Sequence, residues 1–199
     1  MEKSDWILIV DDDPGVSETT RDLLELRGYL VASAGSGVEA LDLARDRRRE
    51  WAVALVDLVL PDQDGLELIG KIHGLSPLTQ MIVITGNASV DSVVNGLRAN
   101  IIDYLQKPVA PEHLIATLER ALERRERLLA EMRFQQAARE WRLTFDTITD
   151  VIVILDRESR VLRVNRAGSE LVGLPFKDII GRPWSDLTGL PAEFLSRRP

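Results

Sequence analysis

The stretch Val-Ala-Leu-Val-Asp-Leu-Val-Leu-Pro-Asp-Gln-Asp-Gly, residues 53 to 65, decides the fold of this chain. It opens with an unbroken run of aliphatic residues, which is typical of a strand that is covered on both faces of a parallel sheet. In open α/β sheets, ligands bind in the crevice outside the carboxyl ends of such strands. We therefore expect Asp57, the acid that ends this run, to face a pocket.

The sequence on both sides of this strand alternates between strand and helix patterns. Strands are predicted at residues 6–10, 30–34, 53–57, 81–84 and 104–106, and helices between them are marked by apolar residues from Val16, Val38, Leu66 and Val90 onward. Asp13 precedes Pro14 and is expected to cap the first helix. This alternation, with right-handed crossovers, predicts one parallel sheet with helices on both faces.

Polar residues follow or end four of the predicted strands. Asp11 and Asp12 follow the first strand, Asp57 ends the third, Thr85 follows the fourth, and Lys107 follows the fifth. Because the carboxyl ends of parallel strands meet at one edge of a sheet, we expect these side chains to converge there. A single acid after a strand is usually a cap or a turn residue, but several loops with complementary charges indicate a site.

The chemistry open to this set of side chains is narrow. Three neighbouring carboxylates need a counter-charge, and oxygen ligands without nitrogen or sulfur favour Mg²⁺, Mn²⁺ or Ca²⁺. A carboxylate can also accept a phosphoryl group covalently. We expect Asp57 to attack a phosphoryl group in line, with Mg²⁺ on one side and the Lys107 ammonium on the other. The Thr85 hydroxyl and the backbone N–H groups of Gly86 and Asn87 could donate to the remaining oxygen.

These motifs resemble the receiver domain of two-component response regulators. The resemblance covers roughly residues 5–124 and is carried by Ile-Val-Asp11-Asp12-Asp13, Val-Asp57-Leu-Val-Leu-Pro-Asp-Gln-Asp-Gly65, Ile-Thr85-Gly86 and Asp-Tyr104-Leu-Gln-Lys107-Pro108. It implies a flavodoxin-like fold, which is a doubly wound five-stranded parallel sheet of order 2-1-3-4-5. It also implies two-component phosphorelay signalling, with a cognate histidine kinase as phosphodonor and no separate enzymatic activity beyond autophosphorylation and autodephosphorylation.

The resemblance implies an acceptor and a set of metal ligands. Asp57 would be the phosphoacceptor, Asp12 a direct Mg²⁺ ligand, Asp11 a ligand largely through water, and the backbone carbonyl of Val59 a further ligand. Mn²⁺ could replace Mg²⁺ in this set. The side chain of Val59 cannot position an attacking water, so we expect a longer-lived phosphoryl group than in relatives with a polar residue there.

The resemblance also implies contacts with the phosphoryl group and a switch. Thr85 and Lys107 would contact the phosphoryl group. Tyr104 would be the aromatic switch that turns inward when Thr85 moves. A tyrosine beside a sheet edge is, however, often simply a core residue, so that interpretation of Tyr104 stays open.

Composition excludes several classes of protein. The 199 residues include no cysteine, which excludes disulfides, thiolate zinc sites and cysteine nucleophiles. The net charge is −7, and residues 1–110 carry 18 acidic and 10 basic side chains, so we expect no nucleic-acid-binding face. No apolar run approaches the roughly 20 residues that cross a bilayer, and the first residues lack the pattern of a signal peptide. We expect a cytoplasmic protein without membrane attachment.

A long helix is predicted from Pro111 to about residue 145. Its apolar residues keep the three-four spacing of a helix–helix seam, which Arg125 interrupts. These residues are Ile115, Leu118, Leu122, Leu129 and Met132. The helix is either a free-standing charged linker or a parallel coiled coil that joins two copies of the chain through residues 112–145. We favour the coiled coil, because the seam is longer than packing on the preceding domain would use.

The last part of the chain has a different pattern. Residues 151–165 are predicted to form an antiparallel hairpin, followed by short helices at 167–172, 176–180 and 183–187. The residues around Asp156, Asn165, Gly173 and Gly181 resemble the first half of a PAS sensor domain, and a complete domain of that kind is expected to add three more strands after these helices. The chain is thus divided into a receiver domain (1–120), a linking helix (111–147) and a partial PAS-like domain (148–199). A histidine kinase core or another output module could follow in a longer protein.

Two other functions remain open from the sequence. In a phosphatase similar to the haloacid dehalogenases, Asp11 would be the nucleophile, Asp13 the acid/base, and Thr85 and Lys107 would contact the phosphate. That interpretation leaves Asp57 without a role, and the threonine expected shortly after the paired acid is missing. The other alternative is a dimerisation scaffold whose receiver no longer takes phosphate.

Overall fold

A five-stranded parallel sheet forms the centre of the first part of the chain, in a computed structural model that describes residues 5–46, 48–86 and 101–189. Its strands are β1 (Asp5–Val10), β2 (Leu30–Ala34), β3 (Glu50–Asp57), β4 (Gln80–Thr85) and β5 (Ile101–Gln106). Their order is β2-β1-β3-β4-β5, and every neighbouring pair is parallel. The predicted fold class and strand order are confirmed.

Two strands, β3 and β5, start three residues earlier than predicted, because pairing with a neighbouring strand extends each of them. β3 starts at Glu50, where it pairs with Asp5 of β1. β5 starts at Ile101, which pairs with Met81 of β4. The helix predicted from Val90 lies outside the described residues.

Helices cover both faces of the sheet. They are α1 (Pro14–Leu26), α2 (Gly37–Ala44), α3 (Gly65–Leu75) and α4 (Pro111–Thr147). Side chains alternate along β1, so that Ile7 and Ile9 pack with α1 and the start of α4, whereas Leu8 and Val10 pack with α2 and α3. This doubly wound packing explains why the strands are apolar on both faces.

The start of α1 confirms the prediction for Asp13. Its carboxylate accepts hydrogen bonds from the backbone N–H of Gly15 at 2.8 Å and of Val16 at 3.2 Å, and Pro14 occupies the first helical turn. The cap satisfies two amides that have no partner inside the helix. Asp13 is thus a structural residue beside the predicted site.

The chain divides into two compact units, Met1–Glu131 and Met132–Pro199. In the first unit, the early turns of α4 pack on the sheet through Ile115 and Leu118, which are buried, and Leu122, which is partly buried. Arg125 is also buried and pairs with Asp5. Much of the predicted seam therefore packs against the sheet of the same chain. Residues 130–140 of the helix are exposed.

The second unit contains an antiparallel pair, β6 (Val153–Leu155) and β7 (Val161–Val164), and three short helices. The helices are α5 (Arg166–Val172), α6 (Phe176–Ile179) and α7 (Trp184–Thr188). Its core is formed by Val161, Val164, Ile179 and Trp184. The hairpin and the short helices agree with the sequence prediction, although β6 begins two residues later than expected. Among the described residues, no helix has the length and apolar character required to cross a membrane.

Candidate functional site

The carboxyl ends of β1, β3 and β5 bring three charged side chains together. The Lys107 Nζ lies 2.6 Å from Asp57 Oδ2 and 2.7 Å from Asp11 Oδ2. Asp11 directly follows β1, Asp57 ends β3, and Lys107 directly follows β5. Asp11, which lies 96 positions before Lys107 in the chain, and Asp57 therefore share one ammonium group.

The two carboxylates are held in the same manner. Asp57 is 6% exposed and Asp11 is 5% exposed. The Oδ1 of Asp57 accepts a hydrogen bond from the Val59 backbone N–H at 3.1 Å, and the Oδ1 of Asp11 accepts one from the Asp13 N–H at 3.0 Å. In each carboxylate one oxygen is bound by a loop amide and the other by Lys107, so both side chains have fixed orientations.

The position of Lys107 is set by its backbone. Its N–H donates to the carbonyl oxygen of Thr85 at 2.8 Å, and the Lys107–Pro108 peptide bond is cis. Burial lowers the pKa of Lys107, but hydrogen bonds and attraction from Asp11 and Asp57 outweigh that effect and raise the pKa above its usual value. The side chain therefore stays an ammonium ion at neutral pH and supplies a positive charge at the strand ends.

A third carboxylate completes an oxygen-rich cluster. One ligand atom each from Asp11, Asp12 and Asp57 lies within 4.8 Å of the other two, and Asp12 is exposed to solvent. In an octahedral Mg²⁺ site with bonds of about 2.1 Å, ligand oxygens are separated by roughly 3 to 4.2 Å. The 4.8 Å limit on the spacing of the three atoms is of the same size, and their hard oxygen donors match Mg²⁺ or Mn²⁺.

The other predicted site residues lie in or just beyond β3, β4 and β5. Thr85 is 1% exposed and ends β4 next to β5, and Val59 lies two residues beyond Asp57 with an exposed side chain. Tyr104 lies in β5, is half-buried, and packs against the face that α2 and α3 cover. Asn87, whose N–H was expected to donate to the phosphoryl group, lies outside the described residues.

Sequence reasoning missed two features of this region. It assigned Asp11 to a cation and Lys107 to a phosphoryl group, but it did not predict the 2.7 Å ion pair between them. It also gave Asp62 no role, whereas the Asp62 carboxylate accepts two hydrogen bonds from the backbone of α2. Neither contact leaves a signal in periodicity or spacing, because each joins residues that are distant in the chain.

Two family models match the chain. The response regulator receiver domain matches residues 7–119, and the PAS fold matches residues 145–198. Among curated proteins, the response regulator MprA of Mycobacterium avium is 42% identical over 119 residues, which are 60% of this chain and 51% of MprA. The alginate biosynthesis transcriptional regulatory protein AlgB of Pseudomonas aeruginosa is 33% identical over 125 residues, which are 63% of this chain and 27% of AlgB. The chain spans about half the length of MprA and less of AlgB.

Solved structures give the same picture for the first unit. A CheY-like response regulator receiver domain protein from Methanospirillum hungatei is 36% identical with a TM-score of 0.57, covering 62% of this chain and 97% of that one. A response regulator from Burkholderia pseudomallei, solved with a phosphorylated aspartic acid, a calcium ion and citrate, is 31% identical with a TM-score of 0.53. It covers 66% of this chain and 74% of its own.

Proposed function

Because the chain belongs to the response regulator receiver family through residues 7–119, we propose that Asp57 accepts a phosphoryl group from a histidine kinase in a Mg²⁺-dependent reaction. The observation that carries the proposal is the Lys107 ammonium 2.6 Å from Asp57 within a cluster of three carboxylates. The Burkholderia pseudomallei relative, with its phosphorylated aspartic acid and calcium ion, supports both the residue type and a divalent cation. This chain would act in two-component signalling as the phosphorylated partner.

In the proposed reaction, a carboxylate oxygen of Asp57 forms a bond to phosphorus as the bond from phosphorus to the kinase imidazole nitrogen breaks. The electron pair of the broken bond stays on the imidazole, so Asp57 needs no general base. Lys107, already bonded to Asp57, lies where it can stabilise the negative charge that develops on the phosphoryl oxygens. Thr85 would donate its hydroxyl to another of these oxygens.

The divalent cation would be held by Asp12 and Asp57 directly, by Asp11 largely through water, and by the backbone carbonyl of Val59. When bound, Mg²⁺ supplies positive charge beside the phosphoryl oxygens, and Mn²⁺ is the expected substitute. The Val59 N–H already binds Asp57, which holds this loop close to the acceptor. The exposed apolar side chain of Val59 offers no group that could orient a hydrolytic water, which favours a long phosphoryl lifetime.

Transmission of the phosphorylated state is the second part of the proposal. Thr85 would move toward the phosphoryl group, and the half-buried Tyr104 would turn inward to fill the space that Thr85 leaves. The change would pass through α4 to the PAS-like domain or to a downstream output module. The domain boundaries proposed for this path are 1–120, 111–147 and 148–199.

Self-association through α4 belongs to the same proposal. Leu128, Met132 and Leu143 are large apolar residues on one side of this helix, and each has more than a third of its surface exposed. Such residues on a charged helix are suited to pair with a second copy of the helix. Sedimentation equilibrium would show a dimer for the wild-type chain and a monomer after Met132→Glu with Leu143→Glu. An unchanged mass would contradict dimerisation through the helix.

Incorporation of radiolabel from acetyl phosphate tests the proposed function. Label is expected in the wild-type chain with Mg²⁺, and not after chelation or in Asp57→Ala. A phosphorylation-inactive scaffold predicts no label under any condition. The phosphatase alternative predicts that label persists in Asp57→Ala and is lost in Asp11→Ala.

A further inference from the structure

The loop between β3 and α3 is pinned at its base next to the acceptor. The Gly65 N–H donates to the Leu58 carbonyl at 3.0 Å, and Val59 forms an isolated antiparallel bridge with Asp64. A Cβ on Gly65 would lie 2.3 Å from the Asp57 carbonyl oxygen, so only glycine allows the chain to return this close. The base of the loop therefore moves with Asp57.

The tip of the same loop is attached to a different helix. Asp62 Oδ1 accepts a hydrogen bond from the Gly37 backbone N–H, and Asp62 Oδ2 accepts one from the Val38 N–H, each at 2.9 Å. These two amides belong to the first turn of α2, where the helix offers them no acceptor. The Ser36 side chain accepts only from Glu39, so Asp62 complements the local cap. Both oxygens of a solvent-exposed carboxylate are thus committed to one backbone site.

The side chain of Gln63, next to Asp62, also packs against α2. A Cβ on Gly37 would lie 1.9 Å from Gln63 Nε2 and 2.7 Å from Gln63 Cγ, which shows that Gln63 lies directly on the Gly37 backbone. Gln63 Oε1 in turn accepts a hydrogen bond from Lys71 Nζ of α3 at 2.6 Å. Asp62 and Gln63 therefore connect the loop to α2 and α3. We name the two hydrogen bonds from the α2 backbone to Asp62 the Asp62 contact.

We infer that Asp62 is a positioning residue for the divalent cation. It touches neither the cation nor the phosphoryl group, but it attaches the loop that carries the Val59 carbonyl to the rigid first turn of α2. Val59 belongs to the pinned base and lies three residues before the pinned tip, so both attachments restrict the position of its carbonyl relative to Asp57. Without the contact, the loop tip would be free and the Val59 carbonyl would be held by the base of the loop alone, so the site would be less well formed before the cation binds. The inference rests on the proposed function for the identity of Val59 as a ligand.

Charge supports the contact at neutral pH. The two backbone N–H donors, Gly37 first and Val38 second, lower the pKa of Asp62 below its usual value and outweigh the opposing effect of burial. The side chain therefore remains a carboxylate that accepts through both oxygens. An asparagine at this position would keep one acceptor oxygen, and an alanine would keep none.

Calorimetric titration of the full chain with Mg²⁺ tests the inference without phosphorylation. Changes in groups that orient metal ligands typically cost about 10- to 100-fold in affinity. We expect Asp62→Ala to weaken Mg²⁺ binding about tenfold and Asp62→Asn to weaken it less. Asp42→Asn, on the exposed surface of the same helix, is the matched control and should leave the affinity unchanged.

A second measurement separates positioning from stability. If Asp62 had only a structural role, Asp62→Asn would have a lower melting temperature and a smaller fraction of folded, binding-competent protein. The Mg²⁺ affinity of the folded protein would then stay the same. Equal Mg²⁺ affinity in the wild-type chain and in folded Asp62→Asn and Asp62→Ala would overturn the inference. If Asp62→Ala does not fold, Asp62→Asn decides the question. A wild-type chain that binds Mg²⁺ but takes no label would refute the proposed function alone.

Discussion

The Lys107 ammonium is 2.7 Å from Asp11 and 2.6 Å from Asp57, so one cation is shared almost equally between two carboxylates. Both carboxylates are also proposed metal ligands, and a divalent cation would compete with the ammonium for the same oxygens. On the proposed function Lys107 would have two opposing effects, since it would weaken cation binding before transfer and stabilise the phosphoryl oxygens during transfer.

Lys107→Ala should separate these two effects. We expect tighter Mg²⁺ binding, by several-fold, because the competing ammonium is gone, together with a loss of phosphorylation rate of about 100-fold or more, the scale typical for one removed electrostatic donor. Titration calorimetry measures the Mg²⁺ affinity, and incorporation of label from acetyl phosphate measures the phosphorylation rate. Lys177→Ala, on the exposed surface of the second unit, is the control. Weaker Mg²⁺ binding in Lys107→Ala would contradict the competition.

The raised pKa of Lys107 predicts a dependence of stability on alkaline pH. A group whose folded-state pKa lies above its unfolded value stabilises fully below the unfolded value, about 10.4 for lysine, and loses that contribution as pH rises through the folded value. The difference in free energy of unfolding between the wild-type chain and Lys107→Met should therefore be constant at neutral pH and shrink above about pH 10.4. Urea titrations at a series of pH values measure it. A difference that grows with alkaline pH would be inconsistent with the ion pairs.

Arg125 should anchor α4 to the sheet. Its guanidinium donates to Asp5 at 2.7 Å and to Glu50 at 3.3 Å, and its side chain is 7% exposed, with no partner for Nε among the described residues. Arg125→Ala removes two ion pairs and the packing of the stem, and we expect a loss of about 1 to 2 kcal/mol in the free energy of unfolding.

The matched variants separate charge from packing at this site. Arg125→Met keeps the stem and removes the unpartnered Nε, so its loss should be smaller than that of Arg125→Ala. Arg124→Ala, on the exposed face, should change stability by no more than about 0.5 kcal/mol. Equal losses for all three variants in urea denaturation would show that the Arg125 contact has no special role.

Within the second unit, Asn165 should hold the segment that follows α4 in place. The side chain is fully buried, accepts from the Ile152 and Gly168 N–H groups, and donates to the Ile148 and Asp150 carbonyls. Asn165→Ala leaves these four backbone groups without their partner, at a cost of roughly 3 kcal/mol.

Hydrogen exchange read by mass spectrometry localises this effect. Amides of residues 148–152 should exchange faster in Asn165→Ala, while amides of β1 and β3 keep their wild-type protection. Glu170→Gln, which alters only an exposed ion pair with Arg166, is the control. Unchanged exchange at 148–152 would show that the segment is held by other contacts.

The parts of the fold that follow from local pattern could be predicted from the sequence. The alternation of apolar strands and amphipathic helices predicted the parallel sheet, and the cap at Asp13 follows from a single acid before Pro14. Strand ends could not be predicted as well. Glu50 and Asp103 are polar residues that join β3 and β5 only because a neighbouring strand supplies hydrogen bonds.

The candidate site could be located but not fully described. Position at a strand end placed Asp11, Asp57 and Lys107 at one edge, because parallel strands align their carboxyl ends. The Asp62 contact and the Arg125 ion pairs join residues 24 to 120 positions apart, which no periodicity reveals. The seam in α4 was interpreted as a surface for a second copy, since Ile115 and Leu118 have the same spacing whether they face another helix or their own sheet.

The most direct test of the central claim is the location of the phosphoryl group after treatment with acetyl phosphate and Mg²⁺. Cleavage with trypsin yields Asp57 in the peptide of residues 50–71 and Asp11 in the peptide of residues 4–21. Chemical reduction of the acyl phosphate before cleavage gives a stable product for mass spectrometry. The account predicts modification of Asp57 in peptide 50–71 and none in peptide 4–21. Modification at Asp11, or of neither peptide, would contradict it.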